Sequence, residues 1–342
     1  MKVMIIGGPG NISTSTIDSL LESGHELGLF SLPSNGVYTN LENTLTLFFG
    51  NREDTIQLER AIKTFKPEVI VDFCCFHPVH AKNIIPLIDE NVSQYIFIST
   101  VDVYGFPLSQ IPFKEKNDRR APNCNYALHK LECEKIFQDT QLPITILRPA
   151  YSFGPSFFIS FTSHSEGRHL ITRLRNRMPV LLPGDGNTTI HVSSSFVTGQ
   201  MIAHTVGSRK AIHNDYTIAH PTIMTHEEYL WLFANALGVK PLFEYIPKEY
   251  ILSFHQRHSI ESIFNVLTCF DLAFSVEKYL RDFPDFTWRM DLSRWAAHTI
   301  AINDSKNLFP EKSEPIFDDQ LIQEWKLENG KGKRSNMIAQ FG

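Results

Sequence analysis

The chain has 342 residues, 42% of them hydrophobic, which is enough for one large buried core or two joined ones. A formal net charge of −5 gives no basic field, and this argues against nucleic acid as the main ligand. No apolar run is long enough to span a bilayer and no signal peptide precedes the first strand. The five cysteines (Cys74, Cys75, Cys124, Cys133, Cys269) are odd in number and lack zinc spacing, so a cytoplasmic protein with reduced thiols and no metal is expected.

Lys2-Val3-Met4-Ile5-Ile6 is a short apolar run of buried-strand type, stopped by Gly7-Gly8-Pro9-Gly10 and followed by the helical pattern Ile17, Leu20, Leu21. A strand, a glycine turn and a helix suit a pyrophosphate. Gly7 and Gly10 let the backbone turn tightly, and the helix start at Asn11 and Ile12 offers unpaired N–H groups and a positive dipole end. Ser13 stands in the third glycine position of the usual pattern, and its small side chain still permits close helix–sheet packing. The second strand, Glu26–Phe30, runs into Ser31-Leu32-Pro33-Ser34-Asn35-Gly36, where the adenosine ribose would lie. An acidic residue there would favour NAD and an arginine NADP. Neither is present, so Ser31 or Asn35 is the candidate for a ribose hydroxyl, and the absence of a cation tilts the reading to NAD, with NADP as the alternative.

Further signals alternate: Thr44 to Phe49, a helix through Ile56 to Phe65, the strand Val69–Phe73, a helix through Ala81 to Ile88, the strand Tyr95–Ile98, the helix Asn125 to Gln138 and the strand Ile144–Leu147. Such alternation means a parallel sheet covered on both faces. Beyond Gly154-Pro155, Phe157, Phe158 and Phe161 lie in a loop-like stretch before a basic helix candidate with Arg168, Arg173, Arg175 and Arg177. An amphipathic helix is expected from Thr225 to Leu237, with Thr225 as cap and Glu228 three residues on. The expected fold is α/β: a Rossmann-type doubly wound parallel sheet with a smaller C-terminal α/β substrate-binding lobe. Residues 1–165 form the nucleotide-binding domain with returning elements around 188–220, residues 166–330 form mainly the lobe, and 331–342 form a tail.

Two further segments complete the pattern. Ser99-Thr100-Val101-Asp102-Val103-Tyr104-Gly105 follows a strand, and Tyr126 and Lys130 stand four apart on one helix face. With Leu147-Arg148-Pro149, Phe153-Gly154-Pro155, Pro183-Gly184-Asp185-Gly186 and His191-Val192 in that order, the chain resembles the extended short-chain dehydrogenase/reductase family, in its NAD-dependent epimerase/dehydratase branch, from Lys2 to roughly Trp295.

The resemblance implies a hydride-transfer enzyme acting on a sugar or nucleotide sugar. Tyr126 is then the base for the substrate hydroxyl, with Lys130 lowering its pKa and binding the nicotinamide ribose. Thr100, with Ser99 as the adjacent alternative, positions the substrate oxygen. Asp102 occupies the second slot of the dehydratases' acid pair, whose first slot is Val101 here. It is read as a base for the carbon beside a transient ketone, or else as a turn carboxylate. An acid opposite it is sought in His164, His169 or a thiol. The resemblance also places Asn51, with Arg52 beside it, at the adenine, Cys74 along the cofactor cleft, Cys75 by the substrate, and Arg168 and Arg173 at a substrate diphosphate. The arginine row reads equally as a solvated helix face. The arginine usual after Gly-Asp-Gly is absent, as is the acidic pair after His-Val, where Ser193-Ser194 stands.

The expected reaction is epimerisation through a keto intermediate by a homodimer. A ketoreductase or a sugar dehydratase is the alternative enzyme. Val71-Asp72-Phe73, Phe76, Pro78 and Ala236-Leu237-Gly238-Val239 also look like a subgroup of this branch that holds chloroplast RNA-binding proteins. That likeness supplies an alternative of another class, a non-catalytic nucleic-acid-binding or regulatory Rossmann protein.

Overall fold

The computed structural model describes residues 1–33, 44–162, 167–310 and 317–338, the last nine of these as backbone only. The described chain divides into two units. The first comprises Met1–Ser156, His191–Thr222 and Ala273–Asp291.

At the centre of the first unit is β1 (Lys2–Ile6), whose Val3 to Ile6 are fully buried. It pairs with β2 (Glu26–Ser31) on one side and with β4 (Val69–Asp72) on the other. Outside β2 lies β3 (Thr46–Phe49). Beyond β4 come β5 (Gln94–Ile98), β6 (Ile144–Pro149) and the strand Asn214–Ile218. All seven strands are parallel. Every residue of β4 and β5 is buried, as the near-continuous Val-Ile-Val and Tyr-Ile-Phe-Ile runs require of strands covered on both faces. The chain reverses direction across the sheet between β1 and β4, and ligands of such sheets bind outside the carboxyl ends of the strands at that switch point.

Helix α1 (Asn11–Glu22) packs against the helix Ser195–Thr205. Gly199 makes the approach possible, since a Cβ there would stand 2.6 Å from the Ser15 carbonyl carbon. Helix α2 (Thr55–Phe65) is capped by Asp54, whose carboxylate accepts from Ile56 and Gln57 N–H at 3.0 and 3.1 Å. The next helix, α3, runs over Pro78–Ile84, starting three residues and ending four residues before the helix that the apolar pattern predicts, and it passes into a 3₁₀ turn at Ile85–Leu87. Proline explains both limits: Pro78 suits the first helical turn, and Pro86 has no N–H to continue the ladder. Helix α4 spans Asn125–Gln138, as its sequence predicts.

The second unit comprises Phe157–Ile190, Ile223–Leu272 and Leu292–Gly342. A parallel strand pair, Pro179–Pro183 with Leu242–Ile246, lies among the helices Arg168–Arg175, His226–Leu237, Lys248–Arg257, Leu292–Ser305 and Phe317–Ile338. Leu181, Ile246, Ile251, Phe254, Phe264 and Leu321 form one of its clusters. Thr225 and Glu228 close a reciprocal cap on His226–Leu237, with N–H to oxygen distances of 3.1 and 2.7 Å. The last helix carries the backbone through Ile338, past the point where the sequence suggests a tail. No helix among the described residues is long and apolar enough to cross a membrane.

Candidate active site

The glycine turn follows β1. Gly7 and Gly8 have φ of +89° and +128°, and the Gly7 N–H reaches the Phe30 carbonyl at 2.9 Å. Gly7 is required twice over, because a Cβ there would lie 2.3 Å from the Cys74 Sγ at the end of β4. The Gly10 N–H donates to the Ser13 hydroxyl at 2.8 Å, so the serine in the third glycine position ties the turn to the helix. Neither Asn11 nor Ile12 N–H has a backbone or side-chain acceptor among the described residues, and both belong to the first turn of α1. This is a fit for a pyrophosphate. The Asn11 side chain is taken up elsewhere, donating to the Ser152 carbonyl at 2.7 Å. Ser31 donates to the Gly8 carbonyl and so braces the turn, while Asn35 lies outside the described residues. Asn51 is exposed, and its Oδ1 accepts from Glu53 N–H at 3.0 Å.

Arg52 does not face a cofactor. Its guanidinium is buried against Asp72, whose carboxylate also accepts from the Tyr95 hydroxyl at 2.6 Å and from Cys74 N–H at 3.0 Å. An arginine next to an exposed Asn51 turns inward because Asp72, at the end of a fully buried strand, needs a cation. Cys74 is half-buried beside Gly7, and burial, reinforced by Asp72, pushes its thiol up to about 12 against the opposing pull of Arg52 and Lys130. Cys75, expected at the substrate, is fully buried in the core with its Sγ 4.0 Å from that of Cys133. Alternation along the extended chain turns the second cysteine of the pair to the opposite side from the first.

The carboxyl end of β5 supplies the next group. The Thr100 hydroxyl accepts from Asp102 N–H at 3.2 Å and caps the 3₁₀ turn Val101–Tyr104. Ser99 is turned away, donating to Glu134 at 2.7 Å. Glu134 is itself clamped by Arg148 through two bonds of 2.7 and 2.8 Å and by Arg119 at 3.0 Å. Burial alone would raise the Glu134 pKa, but Arg148 and its hydrogen bonds outweigh burial and hold it low. This rigid, wholly buried base under the strand end leaves Thr100, not Ser99, beside Tyr126.

Tyr126 lies in the first turn of α4, 43% exposed as a residue, with its phenol beside Thr100. Lys130, one turn on, is 1% exposed, donates to the Ile98 carbonyl at 2.7 Å, and sits 5.9 Å from the Tyr126 ring centroid. The expected lowering of the phenol pKa is not what this arrangement produces. Burial, then Asp102 and Cys124, raises it, and only the neighbouring Thr100 hydroxyl acts the other way. Burial likewise lowers the pKa of Lys130, whose ammonium is directed at the Ile98 carbonyl and the Phe76 and Phe97 rings. Phe76, 42% exposed, has its ring 6.5 Å from that of Tyr126.

Asp102 is half-buried, and burial raises its pKa against the opposing effect of the Tyr151 hydrogen bond and of Thr100. The Tyr151 hydroxyl donates to Asp102 Oδ1 at 2.5 Å. Tyr151 is the one residue of this group that the sequence does not single out. The available signal is a phenol between Arg148-Pro149 and Gly154-Pro155 at the end of β6, next in the sheet to β5.

Thr100, Asp102, Tyr126, Lys130 and Tyr151 are thus together in the first unit. The remaining predicted residues belong to the second unit. Arg173 is not available to a diphosphate: it is 2% exposed, paired with both Asp319 oxygens at 2.9 and 2.7 Å and bonded to the Pro179 carbonyl. Arg175 is similarly paired with Asp304. The row is therefore no phosphate clamp at these two positions, because acidic residues far along the chain neutralise it; Arg173 is buried, while Arg175 lies on an exposed face. Arg168 and His169 open the helix Arg168–Arg175, both half-buried, and His164 lies outside the described residues. No group of three or more histidine, cysteine or acidic residues among the described residues could hold a metal.

Residues 3–192 match the model of the NAD dependent epimerase/dehydratase family. The chain belongs to that family. Its members are NAD-dependent enzymes of oxidoreductase type, in keeping with the glycine turn and the Tyr126–Lys130 pair. A UDP-glucose 4-epimerase of Vibrio cholerae is 37% identical over 81 residues, 22% of this chain and 24% of that protein. The chain spans less than two thirds of the length of the first curated relatives that it matches. The chloroplast stem-loop binding protein of 41 kDa b of Arabidopsis thaliana is 23% identical over 318 residues, 85% of this chain and 81% of that one. Among solved structures, the dTDP-glucose 4,6-dehydratase of Bacillus anthracis, in complex with NAD, superposes with a TM-score of 0.71 at 17% identity, covering 92% of this chain and 100% of the other. That similarity shows the shared fold.

Proposed function

We propose that this chain is an epimerase of a sugar or nucleotide sugar, working through a transient ketone. The observation that carries the proposal is the grouping of Thr100, Tyr126 and Lys130 at the carboxyl end of β5: a phenol beside one hydroxyl, with a buried ammonium one helical turn below. NAD, when bound, supplies the hydride acceptor and, in its oxidised form, a positive charge that opposes the effect of Asp102 on the Tyr126 phenol.

The N–H groups of Asn11 and Ile12 hold the pyrophosphate. Thr100 holds the substrate oxygen, and Tyr126 takes the hydroxyl proton as the adjoining carbon loses its hydride. Lys130 sets the charge beneath the phenol. A carbon next to the ketone is acidic; Asp102 removes its proton, water returns a proton to the opposite face, and hydride then returns to the carbonyl carbon as Tyr126 gives its proton back to the oxygen. The names of the relatives, UDP-glucose 4-epimerase and dTDP-glucose 4,6-dehydratase, support a nucleotide sugar as substrate. The exposed Val79 of α3 and Leu128 of α4 support a homodimer through those helices.

The test is native mass spectrometry of the purified protein to identify retained nucleotide, followed by incubation with UDP- and dTDP-hexoses in D₂O and NMR of the products. Retained NAD and a product inverted at one carbon are expected. Net NADPH consumption without inversion would replace the epimerase with a ketoreductase. A second reading, RNA binding without catalysis, rests on the long match to the chloroplast protein. The net charge of −5 speaks against it, and a gel shift with an RNA stem-loop at physiological salt decides it.

A further inference from the structure

We infer that Tyr151 is the positioning residue for Asp102: its phenol, 2.5 Å from Oδ1, aims the carboxylate beside Tyr126 and keeps it ionised. The inference rests on the reading of Asp102 as the base for a carbon-bound proton.

Both partners are rigidly mounted. Tyr151 begins the short strand Tyr151–Phe153, which pairs in parallel register with Val192–Ser194, Tyr151 opposite Val192. Asp102 sits in the 3₁₀ turn capped by Thr100, and Tyr104 at the end of that turn is locked by Thr217 at 2.6 Å and Arg148 at 3.2 Å. The backbones that carry the two side chains are thus held by the strand pairing and by the capped turn.

The groups acting on the Asp102 carboxylate are Tyr151, from the strand, and Thr100, from the end of β5. From α4 and the residue before it, Tyr126 and Cys124 face the same spot, and both act on Tyr151. None of these four is a cation. A half-buried carboxylate without a counter-ion stays charged only where donors are aimed at it. Tyr151 is suited to that task because burial and Asp102 itself hold its proton firmly on, so it donates and does not compete for the charge. Asp102 in turn raises the Tyr126 pKa, so the orientation that Tyr151 imposes also sets how strongly the substrate-facing phenol holds its proton.

The experiment is ¹³C NMR titration of protein labelled at the aspartate carboxyl carbon, with the Asp102 resonance assigned by its absence in Asp102→Asn. Tyr151→Phe should raise the Asp102 midpoint by about one to two pH units, the worth of one hydrogen bond to a charged acceptor. An unchanged midpoint overturns the inference. Replacement of Tyr151 by 3,5-difluorotyrosine, a more acidic phenol of the same shape, should move the midpoint down, and no downward movement also overturns it, whether or not the phenylalanine variant folds.

Deuterium uptake from D₂O into UDP-glucose, used as the probe, separates this inference from the reading beneath it. If Tyr151→Phe shifts the titration but Asp102→Asn leaves deuterium uptake intact, Tyr151 positions Asp102 and the carbon-base reading fails. If Asp102→Asn stops uptake while Tyr151→Phe moves neither the titration nor the rising acid limb of the uptake rate, Asp102 is the base and the positioning role fails.

Discussion

His226 lies fully buried at the first position of the helix His226–Leu237, with its ring stacked on Phe161 at 3.8 Å and 11°. Neither ring nitrogen has a hydrogen-bond partner among the described residues. Burial, reinforced by Lys248 and opposed by Asp271, lowers its pKa to about 3 from an ordinary 6.5. A helix N-terminus disfavours a positive charge as well. Because the folded-state value is depressed, the stability linked to this neutral imidazole is fully present above pH 6.5 and is lost as the pH falls from 6.5 towards 3. At pH 5 the loss is about 2 kcal/mol. His226→Phe keeps the stack and removes the titration. The variant should be at least as stable as the parent at pH 7, since an unpartnered buried polar group costs about 1–3 kcal/mol, and should escape about 2 kcal/mol of the decline between pH 7 and pH 5. Urea unfolding followed by tryptophan fluorescence is the assay, since Trp231, Trp295 and Trp325 all lie in the second unit with His226. Equal declines in parent and variant would refute the reasoning.

Other consequences are as direct. Gly7→Ala should cost about 1–2 kcal/mol from its left-handed φ alone, more from the clash with Cys74, and NAD affinity should fall at least tenfold by titration; Gly7→Ala/Cys74→Ala should recover the steric part, so the two changes should be non-additive. Arg148→Met leaves Glu134 buried with Arg119 as its remaining cation beside the Ser99 hydroxyl, and should lower stability by about 3–5 kcal/mol in denaturant unfolding. Tyr126→Phe should reduce turnover of any substrate found by about 10²–10⁴ while leaving NAD binding within twofold by calorimetry.

Local signals in the chain are enough for the alternation of strands and helices, the glycine turn and the limits of α4, because each depends on short-range chemistry: apolar runs of strand length, backbone freedom at glycine, and residues four apart on one face. Tyr126 and Lys130 are legible for that reason. The sequence cannot say whether Ser99 or Thr100 faces the phenol, since either fits the strand end. The choice is made by Glu134 and Arg148, which claim the serine. The same holds for Arg173, taken by Asp319 from 146 positions away, and for Arg52, taken by Asp72. Asp102 and Tyr151 are 49 positions apart, and only the pairing of β5 with β6 brings their two strand ends together. Charge pairing and proton affinity depend on which distant groups share a buried volume. Periodicity and motif spacing contain no record of that, and tertiary structure decides it.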